Sequence, residues 1–153
     1  MAKIEKSIDV EVPVSVAYNQ WTQFEEFPQF MEGVEEVTQL DDTRLHWTAT
    51  VGSKTKEWYS KITEQIPDQR IAWTCEGGTF TSGVVTFNRQ DAEKTRVLLE
   101  MEYDPEGIVE EVGDKLGFVS RRVQGDLERF KKFIEERGRE TGAWRETVVR
   151  TAP

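Results

Sequence analysis

From Ile108 onward the apolar residues change period. Ile108, Val112, Leu116, Val119, Val123, Leu127, Phe130 and Ile134 recur at steps of four and three, the pattern of an amphipathic helix with one face that must be buried. At ~1.5 Å per residue such a helix is about 40 Å long, enough to cross a whole small sheet. Glu106, Glu110, Glu111 and Asp114 stand near its start, and Lys131, Lys132 and Arg137 near its end, which complements the helix dipole. Gly138 suits a C-cap. The rest of the chain must therefore offer an apolar surface long enough to receive the stripe.

Such a surface is written in the residues before it. Ile8, Val10 and Val12 alternate with Ser7, Asp9 and Glu11, the period of a half-buried strand. Pro13 interrupts the ladder, and Ser15 can cap a short helix over about 14–23 carrying Val16, Trp21 and Phe24. Phe24 to Met31 holds three phenylalanines and a methionine around Pro28, and a proline suits the first turn of a second short helix. Alternation returns in Val34–Leu40 and Leu45–Val51, joined by a turn at Asp41-Asp42-Thr43. Trp58, Ser60 and Ile62 then share a face, as do Ile71, Trp73 and Cys75, Val85 and Phe87, and finally Val97, Leu99, Met101 and Tyr103. Gly52-Ser53, Pro67-Asp68 and Gly77-Gly78 separate these runs. No helical period interrupts residues 32–104, so sequential hairpins in one antiparallel sheet are expected. The fold class is α+β. Residues 1–138 form the domain, and 139–153 a tail on which Trp144 can dock.

A chain of 153 residues is the size of one domain with one core. A formal net charge of −9 repels phosphate backbones, so no nucleic-acid partner is expected. The basic stretch Arg129 to Lys132 reads as a solvated helix face. No apolar run reaches the length of a membrane span, and the first residues lack the apolar stretch of a signal peptide. Cys75 is the single cysteine, which excludes an internal disulfide and fits a reducing compartment. The expectation is a cytoplasmic monomer or homodimer.

Trp47, Trp58 and Trp73 lie on the apolar faces of three successive strands, where all three can point at the long helix. Two readings stand: the rings fill a core, or they wall a cavity. Ser60, Ser120 and Tyr103 sit on or beside apolar faces, either as orienting groups of a pocket or as buried groups bonded to backbone. Gly113 and Gly117 each cost the helix about 0.8–1 kcal/mol relative to alanine, which a bend, a close backbone approach or room for a ligand would offset.

Signals for catalysis are sparse. His46 is the sole histidine, and its parity points it away from the face of Leu45, Trp47 and Ala49. Cys75 shares a face with Trp73 but has no base beside it, the setting of a small hydrophobe. One histidine and one cysteine do not make a zinc set, so no metal is expected. Gly77-Gly78 with Gly83 lacks the spacing of a dinucleotide loop, and no cofactor is expected. Glu57, Glu76, Glu100 and Glu102 have outward parity. Tyr103, Ser60 and Glu64 remain as the catalytic candidates available by parity. Arg121 and Arg122 either reach a cavity rim, where an anionic ligand would meet them, or stay solvated on the helix.

The order of elements resembles the START-like superfamily, also called SRPBCC. Ile8-Asp9-Val10-Glu11-Val12-Pro13-Val14, Trp21-Thr22-Gln23-Phe24-Glu25-Glu26-Phe27-Pro28, Ser120-Arg121-Arg122-Val123 and Asp126-Leu127-Glu128-Arg129-Phe130 resemble its polyketide cyclase/dehydrase and coenzyme-Q-binding branch. The resemblance covers residues 3 to about 137. It implies a helix-grip fold: a curved antiparallel sheet of about seven strands wrapped around the C-terminal helix, with two short helices after the first strand. It further implies a cavity for a hydrophobic small molecule such as a lipid, a quinone or a polyketide. The expected lining is Trp47, Trp58, Ser60, Trp73, Cys75, Val85, Phe87, Met101, Tyr103, Leu116, Val119, Ser120 and Val123. Phe24, Phe27, Phe30 and Met31 would form the mouth. Three functions compete, namely a binder of an apolar ligand, a polyketide aromatase/cyclase or dehydrase, and a protein-interaction module working through its outer surface.

Overall fold

The computed structural model describes residues 2–51, 54–76, 80–104 and 115–149. Seven strands form one antiparallel sheet: β1 (Ala2–Val10), β2 (Val34–Gln39), β3 (Arg44–Val51), β4 (Lys54–Ile66), β5 (Arg70–Glu76), β6 (Phe80–Asp91) and β7 (Lys94–Tyr103). Their spatial order is β1-β7-β6-β5-β4-β3-β2. Strands β2 to β7 are thus successive hairpin neighbours, and β1 adds to β7 with Ile4 opposite Met101 and Ile8 opposite Val97. The chain crosses from β1 at one edge to β2 at the other through helix α1 (Val14–Trp21) and a 3-10 helix, Phe24–Gln29.

Both short helices depart from their expected starts. Pro13, not Ser15, occupies the N-cap of α1 and makes no side-chain cap bond. Its ring presets the backbone for helix entry while its nitrogen has no proton to leave unpaired. Pro28 lies inside the 3-10 helix rather than in its first turn, and Phe30 N–H donates to Phe27 O two residues later. The two elements bury Ala17, Tyr18, Trp21, Phe24 and Phe27.

The long helix α2 spans Lys115–Arg137. Val119, Val123, Leu127, Phe130 and Ile134 are all buried, so the stripe read from the sequence is the face that meets the sheet. Burying each such side chain is worth about 1.5–3 kcal/mol. Gly138 ends the helix with φ +75°, its N–H donating to Ile134 O at 2.9 Å, as a left-handed cap requires. Ile108, Val112, Gly113 and the side chain of Leu116 lie outside the described residues.

The segment after the cap folds back. Thr141 exchanges hydrogen bonds with the Gln20 side chain at 2.8 and 3.1 Å, and Trp144 N–H donates to Thr22 Oγ1 at 3.1 Å. Arg145 pairs with Asp68 at 2.8 Å and lies over the Tyr18 ring. Val148 bridges Gln65 through two backbone bonds of 2.7 and 2.9 Å.

Candidate ligand-binding cavity

A cavity of about 120 Å³ lies between the sheet and α2. Its wall is built by strand alternation. Leu45, Trp47 and Ala49 on β3, Trp58, Ser60 and Ile62 on β4, and Ile71, Trp73 and Cys75 on β5 all face it, because residues two apart share a side of a strand. Leu99 and Met101 of β7 continue the wall. Phe24, Phe27 and Met31 close one end, and Val123 and Leu127 of α2 form the lid.

Cross-strand pairing sets the tryptophans. Trp47 and Trp58 are directly opposed in the β3–β4 register, and their rings stack 5.8 Å apart at 7°. Trp47 Nε1–H donates to Ser60 Oγ at 2.8 Å, which satisfies the indole and fixes its orientation. Ser60 therefore positions a wall residue. Trp73 extends across β6 over Gly83, where an added Cβ would sit 2.4 Å from the indole. Only glycine leaves room for that ring, so Gly83 is part of the wall's construction.

Several expected lining residues lie elsewhere. Val85 and Phe87 are buried in closed packing, with Phe87 edge-on to Tyr18 and Trp21. Phe30 packs against Phe130 and Phe133 and is no part of the mouth. Tyr103 and Val119 are buried outside the cavity lining, and Ser120 is half-buried outside it. Parity places these side chains on the inner surface, but α1 and the aromatic cluster occupy the space in front of several of them.

Glu64 has a separate reason. The β4–β5 register shifts between Ile62 and Glu64, and such a bulge reverses the parity beyond it. Gln65 takes the buried position instead, while Glu64 forms a bidentate pair with Arg70 at 2.5 and 3.3 Å. Of the three catalytic candidates only Ser60 lines the cavity.

Cys75 lines the cavity too, and burial pushes its thiol up to about 12. It is a protonated, unreactive wall residue. His46 packs at a tilt of 55° against the Tyr59 ring, 5.0 Å away, and faces Glu57 at 3.4 Å, on the opposite side of the strand from Trp47. Among the described residues no group of three or more His, Cys, Asp or Glu converges as a metal site. No helix among them is long and apolar enough to cross a membrane.

The cavity has a polar end, of which the sequence offered only the alternative that Arg121 and Arg122 reach a rim. Glu32, Arg122 and Asp126 join the otherwise apolar lining. Asp126 Oδ1 accepts from Glu32 N–H at 2.9 Å and from Arg129 Nη2 at 2.5 Å. Burial nevertheless raises its carboxyl to about 6, against the lowering effect of those bonds and of Arg122. Arg122 Nη1 donates to Glu32 O at 3.1 Å and Thr50 O at 3.3 Å. Gly33 allows this approach, since it adopts φ +86° and an added Cβ would lie 2.3 Å from that nitrogen. Arg122 and Asp126 each follow a buried stripe residue, Val119 and Val123, by three positions. That spacing puts both on the flank of the stripe, the one signal available from sequence.

With this geometry in view, comparison with known proteins is informative. Residues 10–132 match the model of a family described as polyketide cyclase/dehydrase and lipid transport. The chain belongs to this family. A 17.2 kDa uncharacterized protein encoded in the melC2-rnhH intergenic region of Streptomyces lincolnensis is 59% identical over 97% of this chain and all of its own length. Among solved structures, the Zhui aromatase/cyclase from Streptomyces sp. R1128 superposes with TM-score 0.74 at 18% identity, covering 94% of this chain and 99% of that one. A Deinococcus radiodurans protein matches with TM-score 0.68 at 27% identity over 90% and 99% of the two chains. A START superfamily protein from Mycobacterium smegmatis matches with TM-score 0.68 at 14% identity over 88% and 95%. The fold is that of the START-like helix-grip proteins.

Proposed function

We propose that this protein binds a small, mostly apolar molecule in the cavity between β3–β5 and α2, admitted past Phe24, Phe27 and Met31. The observation that carries the reading is the cavity's make-up: about 120 Å³ walled by the stacked Trp47–Trp58 pair, Trp73, Leu45, Ile62 and Met101. An apolar cavity of ~150 Å³ is known to bind benzene, so a ring or a short branched chain is the size class that fits without rearrangement. The family's description, which includes lipid transport, supports the same reading.

Native mass spectrometry of the purified protein and tryptophan quenching by a panel of one- and two-ring compounds test it. A bound hydrophobic molecule, or saturable quenching that disappears in Ala49→Phe, is the expected result. Ala49 lines the cavity and is buried, so the new ring fills the space a ligand would take. No copurified ligand and no saturable quenching by any compound would reject the reading.

Chemistry in the same cavity is the second reading, favoured by one residue. Asp126 is a half-buried carboxyl on the lining with its pKa raised to about 6, poised to give or take a proton near neutral pH. In a cyclisation or dehydration it would serve as the acid or base in place of Tyr103 and Glu64. Turnover of a poly-β-ketone analogue should fall at least ~100-fold in Asp126→Asn if this proton transfer operates. Equal turnover in variant and wild type removes the assignment.

A further inference from the structure

We infer that the ligand carries an oxyanion head, a carboxylate or a phosphate monoester, seated in an arginine-lined recess that opens beside the apolar cavity. This rests on the reading of the cavity as a binding site and names the ligand class it takes. The recess has a volume of about 220 Å³ and is lined by Glu32, Arg121, Arg122 and Arg129. Glu32 and Arg122 also line the apolar cavity, so the two spaces share a wall. A molecule with its body among the tryptophans reaches the recess through a linker of a few atoms.

The charge balance points to an anion. Among the described residues three guanidinium groups meet there with two carboxylates, Glu32 and Asp126, in a protein whose net charge is −9. This corner therefore runs against the sign of the whole molecule. Arg122 is held by two backbone carbonyls, which orient the guanidinium. Arg129 Nε donates to Phe30 O at 3.0 Å, so this fork too is anchored by backbone. Its ion pair with Glu32, at 3.5 Å, is made to a side chain that is 65% exposed, which is readily displaced by a ligand oxygen. Arg121 is exposed and makes no ion pair among the described residues. Oriented guanidinium forks match carboxylate and phosphate oxygens two at a time.

The test compares ligands of one body and different heads: 3-phenylpropanoate, 3-phenylpropyl phosphate and the neutral 3-phenylpropanamide. Calorimetric titration of the full chain at neutral pH gives three affinities for the wild type, Arg121→Gln and Arg122→Gln. One of the anions should bind at least about tenfold tighter than the amide, and which one does so tells a carboxylate from a phosphate ligand. The anion-to-amide ratio should drop several-fold in Arg121→Gln and approach one in Arg122→Gln. Raising salt to about 0.3 M should lower the wild-type ratio by screening, a readout that needs no variant. Equal or weaker binding of both anions, or a ratio unmoved by the variants and by salt, overturns the head assignment and leaves apolar binding intact. Failure of all three ligands to bind the folded wild type overturns the cavity reading along with it.

Discussion

The two ends of the cleft between sheet and α2 are made of the same kinds of residue, yet one is closed and the other hollow. At the closed end Trp21 meets Phe130 at 5.0 Å and Tyr18 meets Phe87 at 5.4 Å, each edge to face, while Trp21 and Phe27, 5.6 Å apart, form the boundary with the cavity. At the hollow end Trp47 and Trp58 lie parallel and stacked, with Trp73 stretched over Gly83. Rings set edge to face interlock and fill space, whereas the parallel Trp47 and Trp58 rings stack on each other along the wall and leave the cavity beside them open. Helix α1 packs against β6 and β7, and only its last residue, Trp21, reaches the cavity lining. Aromatic content therefore says little about whether a region is core or cavity. Ring orientation, set by cross-strand register and by one indole hydrogen bond, decides it.

Deleting a ring from each end should separate them most clearly. Phe130→Ala, at a fully buried site touching Trp21 and Phe30, should cost about 3–5 kcal/mol. Trp73→Ala, beside existing open space, should cost visibly less in the same urea titration. Equal losses would mean that the hollow end is as tightly packed as the closed one.

Asp126 offers the next largest effect, and its sign is opposite to that of most carboxylates. Its folded pKa is about 6, above the ordinary 3.8, so between those values the folded protein holds more protons than the unfolded chain. Its burial is thus a cost fully present above pH 6 and relieved as pH falls toward 3.8. Asp126→Asn should raise stability by about 2–3 kcal/mol at neutral pH, a gain that shrinks below pH 6 and disappears near pH 4. Thermal melts across that range measure it, and a constant difference would remove the buried charge from the account.

Enlarging an alanine at each end is the third comparison. Ala17 is fully buried on α1 and Ala49 lines the cavity. Ala17→Leu should destabilise by about 1–3 kcal/mol through overpacking, while Ala49→Leu should be close to neutral. Smallest is Ser60→Ala, which strips Trp47 Nε1–H of its acceptor and should cost about 1 kcal/mol. Its sharper readout is Trp47 fluorescence, which should broaden or shift as the indole loses its fixed orientation.

Much of the cavity wall was legible because strand parity is a strict rule. Trp47, Trp58, Ser60, Trp73, Cys75 and Met101 all reach the lining from alternation alone. The rule failed at Glu64, where a bulge between Ile62 and Glu64 moves Gln65 into the buried place. It also could not tell that Phe87, of inward parity like the others, packs against Tyr18 and Trp21 of α1, or that Val85 is buried away from the lining. The polar end was harder still. The helix pattern left Arg122 open between a cavity rim and solvent and did not single out Asp126, and only the approach of Glu32, Gly33 and Thr50 from other elements draws them into the cavity rim.

Local pattern by itself determined the sheet of seven strands, the buried stripe of α2 and its glycine cap, because period and capping depend on neighbours in sequence. Tertiary structure alone decided where the core stops and the cavity begins, and which charges border it. Those are properties of volumes enclosed between distant segments: α1 folded over β6 and β7, and the loop at Glu32 and Gly33 laid against Arg122. No local period encodes the empty space between them.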